Sequence, residues 1–271
     1  MKLDEIDRLI REKTKYWEER IKDKDLFEVI DEVFDNFTVA TIIELYRRGI
    51  LRKINGVVSS GKESRVYLGY DKAGNALAVK IYLTTSAEFR KSIRKYIVGD
   101  PRFEKIKFKN MRSLILAWAR KEYRNLVRMH EAGVKVPKPI ACLNNVLVME
   151  FLGNGRARYP LLVEVFNELS KEELLSIYGL IVAEVEKIVC QAKLVHGDLS
   201  EYNIVVKPEL DIAIIDVSQA LDIDHPNALD YLKRDVENIY RFFKKEAKVE
   251  VEDPQGVLNK VVPCLEKKKS A

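Results

Sequence analysis

Apolar residues recur along the chain with two different periods, in a definite order. Up to residue 53 the spacing is helical. Leu3, Ile6, Ile10, Trp17 and Ile21 share one face, and "TVATIIELYRRG" predicts a further helix stopped at Gly49. From Ile54 the period shortens to two. "INGVVSS", "SRVYLGY" and "ALAVKIY" read as three strands, joined by the tight connections "GKE" and "DKAGN". Residues 84–112 lose clear periodicity. Asn110 then caps a helix predicted from Met111 to Ala132, ended by Gly133 and by Pro137 and Pro139. "NNVLVMEFLG" reads as a strand running into a polar, Gly-rich connection. Ser170 and Glu173 make a capping box for a long helix that buries Leu174, Ile177, Tyr178, Ile181, Val185, Ile188 and Val189. "NIVVKPELDIAIID" reads as two short strands around a Pro-Glu turn. "HPNALDYLKRDVENIYRFFKK" reads as a final helix, followed by a charged, loose tail.

This order predicts an α+β protein: a helical N-terminal extension over 1–53, a strand-rich lobe over 54–149, a helical lobe over 150–255 and a charged tail over 256–271. Clefts between two such lobes commonly hold ligands. No run approaches the roughly 20 apolar residues needed to cross a bilayer, and "MKLDEIDRLI" is too acidic and polar for a signal peptide. The expectation is a soluble, cytoplasmic protein with no membrane partner. Cys142, Cys190 and Cys264 are widely spaced without a CxxC, which argues against a disulfide framework or a zinc site and for a reducing interior.

Charge adds one feature. Between residues 84 and 112 nine Lys or Arg face three acids, an excess of six against a net charge of +5 for the whole chain, so the rest is slightly acidic. A local excess of this kind suits an anionic partner, and loops this long are usually functional or disordered.

Phosphoryl transfer needs neutralised phosphates, a held divalent metal and an aligned nucleophile. Six features match. In "SSGKESRV", Gly61 and Val66 fit a kinase Gly-rich loop while Ser59 and Ser64 stand at its outer glycines; taken alone, an ordinary Ser-rich hairpin is the commoner explanation. Lys80 lies mid-strand beside small Ala78, where its ammonium can reach α- and β-phosphates; a solvent-facing lysine is the plain alternative. Glu122 interrupts the stripe Ile115, Trp118, Leu126, Met129, a costly place for an unpaired carboxylate, and Lys80 is its natural partner. A Glu at the stripe's edge, paired with Arg120 or Lys121, is the alternative. Met149 ends a strand, and Glu150 to Leu152 can offer backbone hydrogen bonds to adenine, as any strand leading into a linker can.

The last two features carry most weight. Asp198 and Asn203 have the D-x-x-x-x-N spacing of a catalytic loop, with Asp198 orienting or deprotonating the acceptor and Asn203 offering its amide oxygen to metal. Asp216 ends "IAIID", where a carboxylate can bind Mg²⁺. His196 is better explained as a neutral imidazole bracing the loop through backbone.

"SSGKES", "LAVKIY", "ARKEYRNL", "VHGDLSEYNIVV" and "IIDVSQALDIDHPNAL" together resemble the RIO family of atypical protein kinases, more the type-one branch, over residues 54–245. The resemblance implies a trimmed, two-lobed kinase-like fold. It places Ser59, Ser60 and Lys62 near phosphates, Lys80 on them and Glu122 beside Lys80. Asp198 becomes the catalytic acid, and Asn203 and Asp216 the metal ligands. ATP and Mg²⁺, with Mn²⁺ as substitute, are the implied cofactors. The family is linked to late maturation of the small ribosomal subunit, so the partner implied for 84–112 is precursor rRNA and its proteins. Thr84, Thr85, Ser86, Ser92 and Ser113 become candidate self-phosphorylation sites. Departures from ordinary kinases ("HGD", "DVS", no A-P-E) point toward ATPase as well as kinase activity, with Asp216 as a candidate phosphoryl acceptor. Two alternatives stand beside this: a small-molecule phosphotransferase of the aminoglycoside or choline kinase type, and a nucleotide-dependent ribosome-binding scaffold without turnover.

Overall fold

The computed structural model describes residues 35–83, 93, 96, 100, 102 and 110–266. The helix expected on Leu3 to Ile21, and most of 84–109, lie outside them. In chain order the elements are α1 (Asn36–Arg47), β1 (Lys53–Ser60), β2 (Ser64–Tyr70), β3 (Ala76–Tyr82), α2 (Met111–Glu131), β4 (Pro139–Leu143), β5 (Val146–Glu150), β6 (Gly153–Asn154), β7 (Ala157–Arg158), α3 (Leu162–Val165), α4 (Lys171–Glu186), β8 (Leu194–Val195), β9 (Ile204–Val206), β10 (Ile212–Ile214), β11 (Leu221–Asp222), α5 (Ala228–Arg241) and α6 (Pro254–Glu266). They fall into two compact units. The first runs to residue 84 and takes in Ile140–Phe151; the second holds Thr85–Pro139 and everything from Leu152 on.

The first unit is a five-stranded sheet of order β1-β2-β3-β5-β4 with α1 on one face. Alternation along β3 sends Leu77, Val79 and Ile81 into a core with Ile54, Tyr67, Val146 and Val148, which Ile42 and Leu45 of α1 complete. Polar bonds dock the helix as well. The buried Asn145 side chain donates to Thr38 Oγ1 (2.9 Å) and to the Tyr82 carbonyl (3.0 Å), and Asn144 donates to Thr41 Oγ1 (3.0 Å). β4 begins on a proline that reads as a breaker in sequence. As an edge strand it has no ladder partner on its outer side, so a missing N–H is tolerated there.

In the second unit, α2 starts at the predicted cap: Asn110 Oδ1 accepts the Ser113 N–H (2.9 Å), and the Ser113 hydroxyl donates back to the Asn110 carbonyl (2.7 Å). α4 has its Ser170/Glu173 capping box and buries Leu174, Ile177, Tyr178, Ile181 and Val185, as its periodicity predicts. It also buries Glu184, whose carboxylate accepts from the Lys135 backbone and from Lys187 Nζ, both at 2.8 Å.

Two expectations are corrected here. Residues 254–266 are not a loose tail. They form α6, which buries Val257, Leu258 and Val261. Cys190, just beyond α4, and Cys264 on α6 form a disulfide with Cα atoms 5.0 Å apart; a sequence separation of 74 hid the pairing. No described helix is long and apolar enough to cross a membrane.

Candidate active site

In the first unit the register aligns one row across the sheet. Ser59 pairs with Val66, Val66 with Lys80, and Lys80 with Leu147. Directly opposed residues share a face, so the loop ends and Lys80 stand side by side. Lys80 is buried, with its ammonium 5.4 Å from the centre of the Tyr82 ring. The same side carries a small apolar cluster of Leu68, Ala78 and Phe151, against which Val58, Val66 and Met149 pack. A lysine beside an apolar platform is a chemically sensible receptor for a base attached to phosphates. Ser60 pairs with Arg65 at the hairpin end, the Gly61 N–H closes the turn onto the Ser64 carbonyl (2.9 Å), and Ser59, Ser60 and Lys62 are exposed. Of the backbone groups considered for adenine, two are already used. The Phe151 N–H donates to Ala76 (3.4 Å), and the Leu152 carbonyl accepts from Tyr159 (2.9 Å). Glu150 pairs with Leu77 at the strand end.

In the second unit the loop after β8 is held from α5. Asp235, 2% exposed, accepts the N–H groups of Gly197 (2.7 Å) and Leu199 (2.9 Å). Arg234 donates to the Gly197 carbonyl and Asn238 to that of Leu199. Gly197 needs to be glycine: its φ is +81°, and a Cβ there would lie 3.1 Å from the Gln219 carbonyl oxygen. Asp198 thus sits between two anchored residues. Asn203 Nδ2 donates to the Asp198 carbonyl (2.8 Å), which turns the amide oxygen, the end suited to a metal, away from that bond. Gln219 Nε2 donates to Asp198 Oδ2 (2.9 Å).

Asp216 follows β10. It is exposed and left-handed (φ 57°, ψ 58°), and its Oδ1 accepts from Ser218 Oγ (3.1 Å). A side chain in that region costs roughly 1 kcal/mol or more, and such strain collects at functional positions. The Ile215 N–H donates to the Asn203 carbonyl (2.9 Å), joining the two loops. His196 is the brace expected of it. Its Nε2 faces the Ile215 carbonyl at 3.3 Å, and since a carbonyl only accepts, Nε2 carries the proton. Burial holds the ring's pKa down at about 4, against the raising effects of that bond and of Asp216. For Asp235 burial acts in the other direction. It pushes the carboxyl up to about 7 against the pull of its two N–H donors and Arg234, while Asp198 nearby adds to the rise.

Asp198, Asn203 and Asp216 are therefore brought together on two bonded loops of the second unit. Lys80, Val66, Ser59 and Met149 are brought together on one sheet of the first. Glu122 is buried on α2, in the second unit. Asp235, Gln219 and Asn125 did not stand out in the sequence, and Lys121 stood out only as a possible companion of Glu122. For Asp235 a signal existed: it lies on the stripe Leu232, Asp235, Val236, Ile239, the same argument that singled out Glu122.

The fold is that of protein-kinase-like proteins. Two structures of the Rio2 kinase from Chaetomium thermophilum superpose with TM-scores of 0.64 (an ADP/Mg²⁺-phosphoaspartate complex of that protein; 24% identity, 85% of this chain and 70% of that one) and 0.62 (23% identity, 84% and 69%). Residues 65–255 match the RIO domain. The RIO-type serine/threonine-protein kinase Rio1 of Haloferax volcanii is 42% identical over 250 residues, 90% of this chain and 82% of that one. The RIO1 kinases of Caenorhabditis elegans and Homo sapiens are 40% and 38% identical over 229 residues, and the match spans only 44% and 40% of their lengths. The chain belongs to the RIO family of atypical serine/threonine-protein kinases. This sets the small-molecule phosphotransferase alternative aside.

Proposed function

We propose that the chain is a type-one RIO kinase that binds ATP with Mg²⁺ and transfers the γ-phosphoryl group to a serine or threonine hydroxyl or, by way of Asp216, to water. The observation that supports this best is the bonding of the Asp198, Asn203 and Asp216 loops to one another. A carboxylate and an amide oxygen are hard donors that fit Mg²⁺, which takes one or two protein ligands beside phosphate oxygens. Asn203 and Asp216 would hold it, and when bound it supplies charge neutralisation on the phosphates. Mn²⁺ fits the same donors.

Lys80 serves the α- and β-phosphates, Glu122 keeps the ion-pairing role that the family resemblance assigns to it, and Ser59, Ser60, Lys62 and Val66 form the phosphate-covering loop. Met149, Glu150 and Leu152 edge the adenine. Asp198 accepts the proton of the attacking hydroxyl or water, with Gln219 fixing the carboxylate's rotation. In the hydrolytic route an Asp216 oxygen attacks the γ-phosphorus and the bond to ADP breaks. Water then cleaves the acyl phosphate and passes its proton to Asp198. The phosphoaspartate of the Chaetomium Rio2 complex belongs to that protein; Asp216 is proposed here on its own exposed, strained geometry.

The setting we propose is small-subunit maturation in the cytoplasm. The basic segment 84–112 lies on RNA phosphate, and self-phosphorylation falls among Thr84, Thr85, Ser86, Ser92 and Ser113. Incubation with γ-labelled ATP, denaturation and hydroxylamine treatment test the acceptor. Label released by hydroxylamine and missing from Asp216→Asn supports the aspartyl route. Label that resists hydroxylamine assigns transfer to hydroxyls, and phosphate release with neither kind of label contradicts both acceptors.

A further inference from the structure

Lys121 is fully buried, yet no carboxylate lies within ion-pair distance of it among the described residues. Its Nζ donates to the carbonyls of Ser218 (2.7 Å) and Ala220 (2.5 Å) and lies 4.9 Å from the centre of the Trp118 ring. Burial pushes its pKa well below the usual lysine range, with Arg102 adding to the fall and Asp100 opposing it. Taking an ammonium out of water is costly, and a methionine would fill the same space without that cost. Stability alone therefore gives no reason for a lysine here.

One turn further along α2, Asn125 is also fully buried. Its Nδ2 donates to the carbonyls of Val217 (2.8 Å) and Ala220 (3.0 Å). Its Oδ1 accepts from Arg102 Nη1 (2.7 Å), which fixes which end of the amide faces the loop. Arg102 is in turn held by the buried Asp100 carboxylate. Four hydrogen bonds from two side chains of one helix thus reach three carbonyls within the four residues that follow Asp216. Asp216 itself is left-handed, a conformation that persists only when its surroundings over-determine it.

We propose that Lys121 and Asn125 are positioning residues, whose clamp on the Val217, Ser218 and Ala220 carbonyls holds Asp216 in the left-handed conformation that presents its carboxylate to a divalent cation. The proposal rests on the cation-binding role given to Asp216 above. The ammonium is used for its geometry: a lysine presents three protons from one atom, enough to bridge two carbonyls that point at the same place. Removing it frees the loop to relax toward ordinary backbone, and the carboxylate turns with it.

Mn²⁺ binding in the presence of ADP, followed by the loss of the free-ion paramagnetic resonance signal, tests this on wild type, Lys121→Met and Asn125→Leu. The expected result is at least a tenfold weaker Mn²⁺ affinity in each variant. The double variant should be little worse than the weaker single one, because both clamps share the Ala220 carbonyl. The melting temperature of Lys121→Met should stay within a few degrees of that of wild type, since relief of the buried ammonium offsets the donor lost to the Ser218 carbonyl. A purely structural lysine gives the opposite pattern, a lowered melting temperature with Mn²⁺ affinity unchanged, and that overturns the clamp while leaving the proposed function standing. Wild type that binds no Mn²⁺ with ADP contradicts the proposed function instead. Hydrogen exchange across residues 216–221 then decides the clamp by itself: about tenfold faster exchange in Lys121→Met upholds it, and unchanged exchange overturns it.

Discussion

Asp235→Asn is the most informative single perturbation of the site. The carboxylate accepts two buried N–H groups, from Gly197 and Leu199, and its pKa stands near 7 because burial raises it from 3.8. Between those two values the folded chain keeps a proton that the unfolded chain has released, so the contribution of Asp235 to wild-type stability falls as pH rises from about 4 to about 7. At about 1.4 kcal/mol per pH unit that contribution amounts to about 4 kcal/mol. Asparagine has no such slope, but its NH₂ opposes one of the two amides and leaves a buried donor unpaired, at about 1–3 kcal/mol independent of pH. Urea unfolding of both proteins from pH 5 to pH 8 should show the variant less stable at the acid end and equal or more stable at the alkaline end. His196 titrates in both proteins and cancels in the difference. At pH 7 the variant's kcat should drop about a hundredfold with little change in KM for ATP, because a loop displaced by about 1 Å misplaces Asp198. Stability curves that stay parallel across this range would refute the account of Asp235 as a buried carboxyl ionising near neutrality.

Three further outcomes follow from the same geometry. His196 is held neutral with a pKa of about 4, so the unfolded chain takes up a proton below about 6.5 that the folded chain refuses; the His196 contribution to stability falls by about 3 kcal/mol from pH 7 to pH 4, opposite in sign to that of Asp235, and the difference between wild type and His196→Gln in urea titrations should change by that amount. The Cys190–Cys264 bridge closes a 74-residue separation, so Cys264→Ser should lower the unfolding free energy by about 2–4 kcal/mol, and an unchanged denaturation midpoint would contradict the pairing. Gly197→Ala places a Cβ against the Gln219 carbonyl at positive φ; ATP turnover should collapse while the melting temperature moves by only a few degrees, since the strain of about 1–2 kcal/mol falls on the Asp198 loop.

Much of this was legible where local chemistry decides structure. Caps at Asn110 and Ser170, the period-two strands around Gly61 and the period of α4 are short-range signals, and each element stands where its pattern puts it. What escaped notice depends on distant neighbours. β4 starts on Pro139, and only its edge position makes that harmless. α6 carries Gly256 and Pro263 and is followed in sequence by the lysines at 267–269, so its buried Val257, Leu258 and Val261 did not stand out. Cys190 and Cys264 meet because α4 and α6 pack together. The residues flanking the candidate site were hardest to see. Lys121 looks like a solvated charge in a charged helix, and its bond to Ser218 runs to backbone 97 residues away; Asp235 shows only its place on an apolar stripe, and its partner Gly197 is 38 residues away.

The most direct test of the central claim follows the γ-phosphate of ATP in the purified chain with Mg²⁺, comparing wild type with Asp198→Ala at matched nucleotide occupancy. Wild type is expected to release phosphate or label protein, and the variant to bind ATP equally well but turn it over at least a hundredfold more slowly. Equal turnover by the two proteins would contradict the role given to Asp198, and with it the reading of these loops as a phosphoryl-transfer site.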